Sequence, residues 1–372
     1  MAEHADVLIV GGGVIGLTAA YELAKEGASV LLVEKGDFGK EASWAGAGIL
    51  SPGNVAKARP GFDQLRAHSA AIFPQLSAEL RERTGVDNGY RRCGGIEFLQ
   101  NEEASREWRQ QGIPFEPLSD RELHALEPAA VAGKRHVYHV PGTAQIRNPW
   151  HLRALLAGCE MNGVRLHRGC PACGLVRCGA RIAAVETATE MMSAGCFLIS
   201  SGAWTDPLLE PLGIRPGIRP LRGQIALLNT GVPLIRKVLQ EDKRYLVPRE
   251  DGRILVGSTE EDVGFDKRTT ASAIAGLLDV AIRLVPALAD AAVERCWAGL
   301  RPASPDGLPY LGKVPGFDNL FIAAGHGRAG LELSAVTGLL LSQAIFERPL
   351  LVPLEPFRVD RHDSPTSIAS RP

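Results

Sequence analysis

Gly11, Gly13 and Gly16 stand in the spacing Gly-x-Gly-x-x-Gly, and Glu34 follows eighteen residues beyond Gly16. Each of these residue types has a use at a nucleotide. Gly11 permits a tight turn, Gly13 lets the backbone approach a pyrophosphate, and Gly16 lets the following helix pack close to a sheet. The start of the helix that follows presents unpaired N–H groups to phosphate oxygens. The Glu34 carboxylate can accept both hydroxyls of a ribose, and its charge argues against a 2′-phosphate there. These residues alone do not separate FAD from NAD as the ligand.

Two other groups invite chemical readings. Cys170-x-x-Cys173, with Cys178 nearby, has half of a zinc ligand set. A structural zinc site wants four ligands, and no second pair follows, so no metal is expected. The seven cysteines are an odd number scattered over a long chain, which does not form a disulfide framework. His326 sits among glycines, in Gly325-His-Gly-Arg-Ala-Gly330. It is not expected to serve as a catalytic base.

The elements that must position these residues are legible in outline. Val7–Val10 is a short apolar run suited to a buried parallel strand. The glycine motif follows, then a helix from Leu17 to Lys25 stopped by Gly27, then a second strand from Ser29 to Val33 that ends at Glu34. Gly61 to Thr84 has helical spacing. Gly95–Leu99, Val164–His167, Ile182–Thr187 and Cys196–Ser200 read as strands. Gln224–Leu228, Tyr245–Pro248, Ile254–Ser258 and Val293–Leu300 run or alternate as antiparallel strands do. Ala271–Val285 and Leu331–Phe346 read as helices, the latter after the strand Asn319–Ala324. The expected fold is an α/β Rossmann-like nucleotide domain built from discontinuous segments, with an inserted α+β substrate domain that contains a large antiparallel sheet.

Composition bounds the function. The chain has 372 residues, enough for two or three domains. It is 45% hydrophobic and 22% charged, which excludes a disordered chain. Forty-one basic against 42 acidic residues leave a net charge of -1, so no nucleic-acid partner is expected. No apolar run is long enough to span a bilayer. Met1–Asp6 carries two acids and no Lys or Arg, and the expectation is a cytoplasmic protein.

The sequence resembles the FAD-dependent D-amino-acid oxidase superfamily and, within it, the glycine oxidases of thiamine biosynthesis. The resemblance covers nearly the whole chain. It is carried by Tyr245-Leu-Val-Pro-Arg249, Val256-Gly-Ser-Thr259, the stretch Trp297–Gly312, Ala324–Gly330 and Pro356–Arg361. It implies noncovalent FAD: where related sarcosine oxidases attach the flavin through a Cys, this chain has the region of Gly299, and Cys296 lies three residues earlier. By the same resemblance, residues 1–85, 143–216 and 301–365 form the FAD-binding domain, residues 86–142 and 217–300 form the substrate-binding domain, and 366–372 is a flexible tail.

The implied substrate site is Arg301 with Tyr245, joined by Arg328. A guanidinium offers a planar two-donor fork that matches a carboxylate and stays charged when buried. Tyr245 would add a second hydrogen bond, or else is an aromatic core residue; Arg328 shapes the far side of the site or binds backbone. The implied flavin contacts are Gly11, Gly13, Val14, Ile15, Gly16, Glu34 and Lys35, then Ser43, Gly46, Ala47 and Gly48 along the pyrophosphate, ribityl chain and ring. Gly202 and Trp204 stand at a cofactor edge, the indole either capping it or sitting in the core. Gly325, Gly327, Arg328, Ala329, Gly330 and Leu331 form the turn at the flavin pyrimidine edge.

The implied reaction is hydride transfer from Cα of glycine, sarcosine or a small D-amino acid to flavin N5. It needs no side-chain base. The products are an imino acid (hydrolysing to glyoxylate and ammonia) and hydrogen peroxide from dioxygen. The alternatives are a dehydrogenase using a quinone or another acceptor, an oxidase of a larger N-substituted glycine, and a flavoprotein without catalysis. Homo-oligomers are common among such proteins, so a homo-oligomer is expected.

Overall fold

The computed structural model describes residues 4–133 and 135–362. The expected tail, 366–372, lies outside the described residues. The chain divides into two compact units. The first is built from the described parts of Met1–Lys40, Leu155–Arg219 and Pro302–Pro372, the second from those of Glu41–Ala154 and Pro220–Arg301. Residues 41–85 and 143–154, assigned above to the FAD-binding domain, group by packing with the second unit.

The first unit holds an eight-stranded sheet. Its order is Tyr310–Lys313, Leu320–Ala324, Met191–Ile199, His4–Val10, Val30–Glu34, Arg165–Arg168. Every pairing along this path is parallel except the first. All five residues of Val30–Glu34 are buried, as a parallel strand covered on both faces requires. The helices Val14–Lys25 and Gly330–Ile345 cover it and approach each other closely. A Cβ on Gly338 would come within 2.6 Å of Thr18 Cγ2 and 3.0 Å of Thr18 backbone, so no larger residue fits there. Arg181–Thr187 pairs antiparallel with Met191–Ile199 and extends the sheet sideways, and Ala172–Cys178 pairs with it in turn. This last strand is not evident in the sequence. It is largely exposed and carries Cys173 and Cys178, so it lacks the apolar signal of a buried strand.

The second unit is organised by another eight-stranded sheet. Its order is Ala292–Ala303, Arg219–Asn229, Arg253–Gly257, Arg244–Pro248, Val238–Glu241, Gly95–Leu99, His136–Val140, Glu116–Leu118. The expectation of an antiparallel sheet holds for five of its pairings. Val238–Glu241 with Gly95–Leu99 is parallel, so the sheet is mixed. Those two strands are far apart in sequence, and no hairpin turn dictates their direction.

Side chains alternate between the two faces of a strand. Leu246, Ile254 and Val256 pack on one face with Leu277, Ala281 and Leu284 of the helix Ala271–Leu284. Tyr245, Val247 and Leu255 therefore point to the opposite face, where they join Ala47, Ile225 and Val238. A one-residue slip of that strand would bury Tyr245 under the helix instead. No helix among the described residues is long and apolar enough to cross a membrane.

Candidate active site

The glycine turn of the first unit is built at contact distance. Gly11 has φ +108°, and a Cβ there would lie 2.5 Å from the Ser200 carbonyl oxygen. A Cβ on Gly16 would lie 2.0 Å from the Gly11 carbonyl oxygen and 2.7 Å from Ser200 Oγ. That hydroxyl donates to the Gly11 carbonyl at 2.9 Å, so Ser200 is a partner of the turn that spacing does not reveal. Phe38 is another: its ring edge fills the place a Gly12 side chain would take. The helix Val14–Lys25 begins at Gly13 with no side-chain cap, which leaves its first N–H groups for an anionic ligand.

Glu34 is buried at the end of its strand. Its Oε2 accepts from Gly12 N at 2.8 Å and its Oε1 from Gly36 N at 3.0 Å. The carboxylate thus braces the turn, and an ionised carboxylate has further lone pairs for a ribose. Lys35 places its Nζ 3.0 Å from the centre of the Trp204 indole, so two of the expected cofactor residues meet by a cation–π contact. Gly202 (φ +57°) and Gly327 (φ +54°) have no atom within 4 Å of where a Cβ would stand.

Gly325 packs against Tyr310 and Ser304, and the turn leads into the uncapped helix Gly330–Ile345. Arg328 is exposed on this turn. His326 is buried with its Nε2 3.3 Å from Thr337 Oγ1, and burial pushes its pKa down to about 3. A neutral imidazole turned onto Thr337 is a packing residue. The glycines, the bracing carboxylate and the uncapped helix start together fit the pyrophosphate and ribose of a dinucleotide cofactor.

In the second unit, Tyr245 and Arg301 arrive from strands that are not neighbours and converge on one short segment. The Tyr245 ring lies over Gly257: a Cβ on that glycine would come within 2.5 Å of Tyr245 Cζ and Oη. Arg301 Nη2 donates to Ser258 Oγ at 2.6 Å and Nη1 donates to the Thr259 carbonyl at 2.9 Å. The guanidinium also covers Gly223, where a Cβ would meet it at 2.2–2.4 Å. Gly223 and Gly257 are slots for the two side chains, and the sequence gives no sign of that. The Tyr245 hydroxyl makes no hydrogen bond within the described chain. A carboxylate met by this hydroxyl and a guanidinium would be held at both oxygens.

The segment Glu41–Leu50 also belongs to the second unit. Asn148 Nδ2 donates to the Ser43 carbonyl at 2.8 Å, Trp297 Nε1 to the Ala45 carbonyl at 3.0 Å, and Arg249 Nη2 to the Ala47 carbonyl at 2.8 Å. Gly299 packs on Ala45, so the position matching a flavin-bearing Cys in sarcosine oxidases has no side chain at all.

Comparison with known proteins places this geometry. The family described as FAD dependent oxidoreductase matches residues 6–344. A glycine oxidase of Pseudomonas aeruginosa is 37% identical over 354 residues, covering 94% of this chain and 97% of that protein. The crystal structure of glycine oxidase from Geobacillus kaustophilus superposes with a TM-score of 0.91 at 33% identity, covering 97% of this chain and 100% of that one. The crystal structure of iminodiacetate oxidase from Chelativorans sp. superposes with a TM-score of 0.86 at 28% identity, covering 95% and 98%.

Proposed function

This chain belongs to the FAD dependent oxidoreductase family, and from that premise we propose that it oxidatively deaminates glycine first and sarcosine or small D-amino acids next. It is an FAD-dependent amino-acid oxidase of the glycine-oxidase type that holds its cofactor without a covalent link. The observation that carries the substrate reading is the convergence of Tyr245 and Arg301 on Gly257–Thr259.

FAD, when bound, would supply the two-electron acceptor for the substrate's Cα–H bond and the means of passing those electrons on to dioxygen. The chain's own residues bind and orient. Arg301 and Tyr245 take the carboxylate, which fixes the direction of the Cα–H bond and supplies the proximity part of the rate enhancement. No side chain is required as a base, because the amine reacts in its neutral form. Gly11, Gly13, Val14, Ile15, Gly16, Glu34 and Lys35 hold the pyrophosphate and adenosine end. Ser43, Gly46, Ala47 and Gly48 lie along the pyrophosphate, ribityl chain and ring. Gly202, Trp204 and the turn from Gly325 to Leu331 complete the cofactor set, with Arg328 reaching the substrate side. The segments 41–85 and 143–154 serve the cofactor in this reading although they pack in the second unit.

A second reading is supported by the likeness to iminodiacetate oxidase: a larger N-substituted glycine as substrate, bound through the same carboxylate pair. One experiment separates these. The purified protein is mixed without oxygen with glycine, sarcosine, iminodiacetate, D-alanine, D-proline and L-proline, and the flavin's visible band is followed; air is then admitted and peroxide measured. Bleaching by glycine with prompt reoxidation and peroxide is the expected result. Preferential bleaching by iminodiacetate favours the second reading, and bleaching without reoxidation by air would make the enzyme a dehydrogenase. Cytoplasmic location and a homo-oligomeric state belong to the same proposal, the latter tested by light scattering on the eluting protein.

A further inference from the structure

The segment Ala42–Gly48 is held from behind in an unusual way. Three side-chain N–H donors, from three different elements, take alternate carbonyls: Asn148 takes Ser43, Trp297 takes Ala45 and Arg249 takes Ala47. Both relevant peptide bonds, 45–46 and 47–48, are trans. In a trans peptide unit the C=O and N–H point in opposite directions. Turning the carbonyls of Ala45 and Ala47 toward Trp297 and Arg249 therefore turns the N–H groups of Gly46 and Gly48 the other way.

Neither N–H donates to a protein acceptor among the described residues. Gly48 is buried, and a buried backbone donor without a partner is costly enough that it marks a place where something else accepts. The Asn148 carbonyl oxygen is also buried and unpartnered, and it lies 2.5 Å from where a Gly48 Cβ would stand.

Arg249 adds charge to this geometry. It is buried, and its guanidinium bonds only neutral oxygens: Gln145 Oε1 at 2.6 Å, the Ile146 carbonyl at 3.2 Å and the Ala47 carbonyl. The nearby Arg147 and Arg91 have their own carboxylates, Asp251 and Glu250. Burial, with Arg147 close by, lowers the Arg249 pKa to about 10, so it stays charged at neutral pH. A buried cation without an anion raises the potential of whatever lies beyond the peptide it holds.

We propose that Arg249, Trp297 and Asn148 are positioning residues that aim the Gly46 and Gly48 N–H groups as a donor pair at the bound flavin, with Arg249 favouring negative charge there. This rests on the placement of residues 46–48 along the flavin ring made above. Reduced flavin is richer in electrons than oxidised flavin, so the pair and the charge bind it preferentially and raise the cofactor's reduction potential.

The test measures the two-electron midpoint potential of the FAD-saturated protein against a redox dye, without any amino acid. Arg249→Met should lose at least tenfold in preference for reduced over oxidised flavin, a shift of about 30 mV to lower potential for a two-electron couple. Arg249→Lys should recover a large part of it, because the charge returns. Trp297→Phe, which removes one donor and keeps the ring, should shift the potential in the same direction by a smaller amount. An unchanged or raised potential in flavin-saturated Arg249→Met overturns the proposal. Should that variant fail to hold FAD, an unchanged potential in Trp297→Phe overturns it instead. Because no substrate enters the measurement, a yellow protein that glycine does not bleach refutes the substrate reading and leaves this one standing.

Discussion

The glycine turn of the first unit and the Tyr245–Arg301 pair of the second solve binding problems in opposite ways. In the proposed reading the turn binds through backbone, with N–H groups as its donors, and its glycines are needed because Ser200 and the Gly11 carbonyl leave no room for a side chain. The pair is proposed to bind through side chains, and there the glycines are under them, with Gly223 beneath the guanidinium and Gly257 beneath the phenol ring. In the first region a glycine makes room for a ligand. In the second it makes room for the residue that meets the ligand. The lesson is that a glycine's position in a motif does not disclose what occupies the space it leaves.

This contrast can be broken at several points. The largest effect is expected at the turn. Gly16→Val would drive a side chain into the Gly11 carbonyl, and the protein should be isolated colourless; a yellow variant with one FAD per chain, measured by absorbance ratio, would refute the role given to the turn. Arg301→Ala comes next. It should leave flavin content unchanged and lower kcat/KM by roughly 3–5 kcal/mol's worth of binding, as loss of a charge-paired contact does. Near-normal steady-state kinetics in that variant would remove Arg301 from the site.

Gly257→Ala should act on the pair without replacing either of its members. The new methyl would meet the Tyr245 ring at 2.5 Å and displace it, an overpacking cost of about 1–3 kcal/mol. The expectation is a raised KM with flavin retained, and a KM equal to wild type would show that the ring's position is unimportant.

The smallest effect concerns Glu97. It lies in the same cross-strand row as Tyr245, with Gln240 between them, and Gln240 Nε2 donates to its carboxyl. Burial raises its pKa from 4.5 to about 7. The folded state therefore keeps a proton that the unfolded state releases, and the associated stability is present below pH 4.5 and lost as pH rises through about 7. At 1.36 kcal/mol per pH unit this comes to about 3 kcal/mol. Glu97→Gln should flatten the dependence of Tm on pH across this window; parallel curves for the two proteins would contradict the assignment.

Much of the first region was legible because its chemistry is contiguous. The run from Val7 to Glu34 contains strand, turn, helix, strand and carboxylate in order, and local propensity acts on neighbours in sequence. Even so, Ser200 and Phe38, which close the turn, arrive from outside that run. The exposed strand Ala172–Cys178 was illegible because it buries too little to need an apolar pattern. The parallel pairing of Val238–Glu241 with Gly95–Leu99 was illegible because no turn links the two strands. Tyr245 and Arg301 could be named from resemblance, but their meeting on Gly257–Thr259 could not.

The sequence by itself determined which residue types were available and where the chain could turn: three glycines ahead of a helix, a carboxylate at a strand end, an arginine closing the run Trp297–Leu300. Those are properties of a residue and its near neighbours. The tertiary structure alone decided what each of them faces. Gly223 under Arg301, Gly257 under Tyr245, Arg249 behind Ala47 and Glu97 beside Gln240 are relations between strands set by register and by close packing. A register shift of one residue would reverse the face of every side chain in a strand and undo them together.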